Sequence, residues 1–66
     1  MATGSAHAEL STLHSQLEEL TDRVVAVADR YRDTPDSAIT AELDGAERNL
    51  LTARRAVERA QRNLPG

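Results

Sequence analysis

Two histidines and a dense set of carboxylates are the first residues with chemistry to offer. His7 and His14 are seven apart, so on a helix they share a face but lie two turns from each other. Paired helical metal ligands need a spacing of three or four. Glu18 stands four after His14 and Asp22 four after Glu18. Each spacing supplies at most two ligands, short of the three or four that hold a transition metal. There is no Cys, so thiolate ligation, thiol nucleophiles and disulfides are excluded. Acid and base catalysis needs a dry cleft that shifts the pKa of its groups. A short chain of Leu, Val and Ala with one Tyr and no Trp or Phe has no means to build one. No enzyme activity, cofactor or metal is expected, and the His and Glu side chains read as solvated or ion-paired.

The charge layout carries more information. Residues 18–47 hold nine acids and three Arg, a net of −6, while 1–17 with 48–66 hold two acids and five Arg, a net of +3. The basic residues of the second part are Arg48, Arg54, Arg55, Arg59 and Arg62. Arg48, Arg55 and Arg62 recur every seven residues, so a helix sets them in one outer ridge. Such a ridge is a solvated face, a contact for an acidic protein surface, or a site for a few phosphates. Against phosphate stand a net charge of −3, the absence of Lys, and no aromatic series to stack on bases. Glu19 with Arg23, Asp44 with Arg48 and Glu58 with Arg62 have the spacing and polarity of stabilising pairs within one helix.

The elements that position these residues follow from apolar spacing. Ala6, Leu10, Leu13, Leu17, Leu20, Val24, Val27 and Tyr31 step alternately by four and three. Ile39, Leu43, Ala46, Leu50, Ala53, Val57, Ala60 and Leu64 do the same. Both are a/d heptads, the pattern of a coiled-coil seam. In heptad letters, Leu10, Leu17, Val24 and Tyr31, and Leu43, Leu50, Val57 and Leu64, occupy a. The second series is out of phase with a continuation of the first. The break falls at Asp33-Thr34-Pro35-Asp36, where Pro suits the first turn of a new helix and Thr34 its N-cap.

The fold class expected is all-α. A frayed lead over 1–4 precedes one hairpin over 5–64, with helix 1 about 5–32, a turn at 33–36 and helix 2 about 35–63. A connection this short makes the helices antiparallel neighbours. Pairing Leu20 with Leu50 sets a register in which the numbers of facing a and d residues always total 70. Four of the eight layers then oppose a larger residue with Ala.

A hairpin of this size buries little, so a dimer forming a four-helix bundle is expected. Val25, Ala28 and Leu51 are apolar residues outside the seam and the expected contacts, with Gly45 marking a second face open to close approach. Arg48, Arg54, Arg55, Arg59 and Arg62 are the expected charged contacts. No apolar run is long enough to span a bilayer, and no charged and apolar leader of a signal peptide opens the chain, so a cytoplasmic location is expected. The exclusive use of Arg among basic residues fits a GC-rich bacterial coding sequence.

In length, single tight turn and heptads across nearly the whole chain, the sequence resembles the Rop-type helical hairpins. That likeness implies dimerisation into a four-helix bundle and RNA binding. No RNA-contacting residue of that family has a counterpart here, so it transfers no site. The expected function is a non-enzymatic coiled-coil module that self-associates and binds a regulatory or assembly partner. The alternative is a small RNA- or DNA-binding regulator that uses the Arg ridge.

Overall fold

A computed structural model describes residues 2–65. Helix α1 spans Ala2–Tyr31 and helix α2 spans Ala38–Asn63. They pack against each other as a hairpin, with Cα extents of 53 × 15 × 11 Å. The direction is antiparallel, because the contacts across the seam run His14 to Glu58, Glu18 to Arg54 and Arg32 to Asp44. Met1 lies outside the described residues. The rest of the expected lead is helical, so α1 begins at Ala2.

The turn sits where the phase breaks, but it is longer than expected. The Arg32 N–H still donates to the Ala28 carbonyl at 3.1 Å, and Asp33 then adopts a φ of 64°. Asp is one of the few non-glycine residues that enter this left-handed region at modest cost. Pro35 occupies the second position of a turn closed by Ser37 N–H on the Thr34 carbonyl at 3.0 Å. It therefore bends the connection and does not open α2, which starts three residues later. Thr34 caps the turn and not the helix. Its hydroxyl donates to the Tyr31 carbonyl at 2.6 Å and accepts from the Asp36 N–H at 3.2 Å. Leu64 is extended, with ψ 134°, as a residue before proline prefers, and ends α2.

The seam is rotated from the expected one. Among the described residues the two buried ones, Ala28 at 1% exposure and Thr21 at 6%, both occupy e positions. In α1 the covered stripe includes Leu10, His14, Leu17, Thr21, Val24, Ala28 and Tyr31. In α2 it includes Thr40, Leu43, Glu47, Leu50, Arg54, Val57, Gln61 and Leu64. These are a and e positions. Of the expected d residues, Leu13 is 46% exposed, Leu20 44% and Ile39 41%. The a stripe serves either packing, so the remaining positions decide. Thr21 and Ala28 are small enough for close approach, and long polar residues at the other e positions can reach across the seam.

Candidate interaction surfaces

Packing through a and e divides the rest of the hairpin into two broad faces. In an antiparallel pair the b positions of both helices fall on one side and the d positions on the other.

The b side carries charge. His14 Nε2 lies 2.7 Å from Glu58 Oε2, and His14 Nδ1 lies 3.6 Å from Glu18 Oε1. Glu18 also faces Arg54, with Nη1 to Oε2 at 3.7 Å. Four side chains from two helices thus form one cluster. The hydrogen bond from His14 holds the Glu58 carboxyl below its ordinary pKa, and the nearby charges of Arg54 and Arg62 act in the same direction. That contribution is present above the ordinary carboxylate pKa and is lost as pH falls through the lowered one.

At the other end Arg32 bridges Asp29 and Asp44, each at 3.4 Å. Its guanidinium is held above the usual value, chiefly by the hydrogen bond to Asp44 and next by that residue's charge.

The carboxylates of Glu58 and Asp44 therefore reach across the seam. Among the described residues, the expected pairs Glu19–Arg23, Asp44–Arg48 and Glu58–Arg62 do not come within ion-pair distance. Sequence spacing weighed only partners on the same helix, and the pairs that form need the hairpin. One signal was available, since His14 and Glu18 oppose Glu58 and Arg54 at matching spacings of four.

The cluster is not arranged for a metal ion. Its two carboxylates approach opposite nitrogens of the His14 ring, so one ion cannot take all three. Among the described residues no group of three His, Asp or Glu could hold a metal. His7 is exposed, as are Glu18 and Asp22.

The expected contact residues separate on this framework. Val25 and Leu51 lie half-buried on the b side among the ion pairs. Ala28 is buried inside the hairpin and has no surface for a partner, because e and not d turned inward. Gly45 is half-buried in α2, and a Cβ there would make ordinary contact with Arg48 Nη2 at 3.8 Å. Within the hairpin nothing requires glycine at this place. Gly45→Ala is expected to stabilise the fold by about 1 kcal/mol in a thermal or denaturant melt. A loss of stability would mean that another helix passes over this position.

Arg48, Arg55, Arg59 and Arg62 are exposed, and among the described residues they hold no ion pair. Arg54 differs. Its side chain is 28% exposed and committed to Glu18, and among the described residues its buried Nε finds no hydrogen-bond partner. Of the five expected charged contacts it alone belongs to the seam.

The d side is apolar. It presents Leu13, Leu20 and Ile39, with exposed Ala53 and Ala60. Sequence reasoning placed all five in the seam and so missed them as surface.

No protein-family model, curated protein or solved structure matches this chain. Among the described residues no helix is long and apolar enough to cross a membrane.

Proposed function

We propose that this chain is a non-enzymatic helical-hairpin interaction module. It self-associates and presents its remaining Arg ridge to an acidic surface of a regulatory or assembly partner. One observation carries the reading: three large aliphatic residues on the d side stay more than 40% exposed after the hairpin has formed. Large aliphatic side chains left in water along one side are costly, and such a side is a natural place for a partner. The seam supports the same view. Among the described residues it fully covers one small apolar side chain, Ala28, and one Thr, Thr21.

Arg48, Arg55 and Arg62 lie on the flank away from the apolar side, so they stay available after association. Their carboxylate neighbours are engaged elsewhere, Asp44 with Arg32 and Glu58 with His14. Sedimentation equilibrium of the intact chain at micromolar concentration tests the first half of the reading. The expected particle is a multiple of the chain mass with full helical signal. A folded monomer under those conditions would overturn it.

A further inference from the structure

The apolar side can be assigned an occupant from its size, its edges and the charge layout. The two longer extents of the hairpin, 53 and 15 Å, outline a footprint of about 800 Å², the per-partner area of a standard-size stable interface. The face is therefore large enough for a durable partner, and its apolar row runs from Ile39 at the turn end through Leu20 to Leu13, beside the small residues of α2.

Its edge is formed by g positions. On α1 these are Glu9, Gln16, Arg23 and Arg30, all exposed. Among the described residues Glu9, Arg23 and Arg30 take part in no ion pair within the hairpin. One end of this edge is acidic and the other basic. When an identical edge is laid over it in the opposite direction, Glu9 meets Arg30 of the second copy and Gln16 meets its Arg23. A two-fold axis makes each pairing twice. The same register sets Leu20 beside Leu20 of the second copy near the axis, with Leu13 beside its Val27. The α2 helices then meet through Ala46, Ala53 and Ala56, which allow a close approach.

The whole-molecule charge selects the same direction. With the turns at opposite ends, each turn half of −6 lies over an open half of +3. With the turns at one end, like charge lies over like charge along the full length.

We propose that the occupant is a second copy of this chain, docked through Leu13, Leu20 and Ile39 with its turn at the opposite end. This rests on the reading that the chain self-associates, and it names the face and the direction.

Leu13→Gln with Leu20→Gln tests the face. Both side chains are about half exposed in the hairpin, so the exchange removes apolar surface without emptying the seam and without adding charge. The dissociation constant from sedimentation is expected to rise at least about a hundredfold. Val25→Gln with Leu51→Gln, on the charged side, is the control and should shift it by less than about tenfold.

Direction is read without disturbing either face. The chain has no Cys, so Asp36→Cys at the exposed turn takes a single spin label. Opposite-ended packing sets the two labels about 45–50 Å apart, while same-ended packing sets them within about 20 Å. A wild-type dimer that persists in the Leu13/Leu20 variant, or a short label distance, overturns the proposal and leaves self-association standing. A wild-type chain that is folded and monomeric overturns both.

Discussion

Ala28→Glu is expected to abolish the helical circular dichroism signal at 25 °C. Ala28 is 1% exposed and lies at an e position where the two helices meet. A Glu side chain there adds volume to a close approach and forces a carboxylate out of water. Overpacking alone costs about 1–3 kcal/mol, and an unpaired buried charge adds several more. A domain this small has on the order of 3–5 kcal/mol to lose. Ala41→Glu makes the same exchange at an exposed position of α2 and should change stability by less than about 0.5 kcal/mol. The comparison separates two ways of packing the same heptads. Had the helices met through a and d, Ala28 would lie on the flank of the seam, and its exchange would leave the hairpin itself folded. A native melt for Ala28→Glu would therefore restore the a/d seam.

That distinction marks where sequence reasoning succeeds and where it stops. Two helices, the antiparallel hairpin and the site of the turn were legible, because each rests on periodicity and on a phase break that single substitutions cannot blur. The end of α1 was legible to one residue. The start of α2 was not, because Pro35 fits the first turn of a helix and the second position of a reverse turn equally well. The Thr34 hydroxyl satisfies the second arrangement, with Tyr31 and Asp36 as its partners.

The seam was misjudged by one heptad position. Leu13, Leu20 and Ile39 draw the eye to d because they are large. A lone pair of helices can cover only one side of the a stripe, and here it covers the side where Thr21 and Ala28 allow contact. The leucines that looked like core are core only if something else lies on them. The exposed apolar side was thus present in the sequence as an apolar pattern too wide for one partner helix.

The second large effect follows from that width. If the d side is covered by a second copy, folding and association are one equilibrium. The folded state is then favoured by mass action, and its melting temperature depends on concentration. Per-residue unfolding enthalpies for two chains of this length imply a rise of about 5 °C for each tenfold increase in concentration. The Arg ridge adds little to this effect, being exposed and screened by salt.

Melting curves of the unmodified chain between about 2 and 200 µM test this account most directly. Burial of Leu13, Leu20 and Ile39 between copies predicts a melting temperature that climbs by about 10 °C over that range. A melting temperature independent of concentration would mean that the hairpin folds alone with its leucines in water, and would contradict the account.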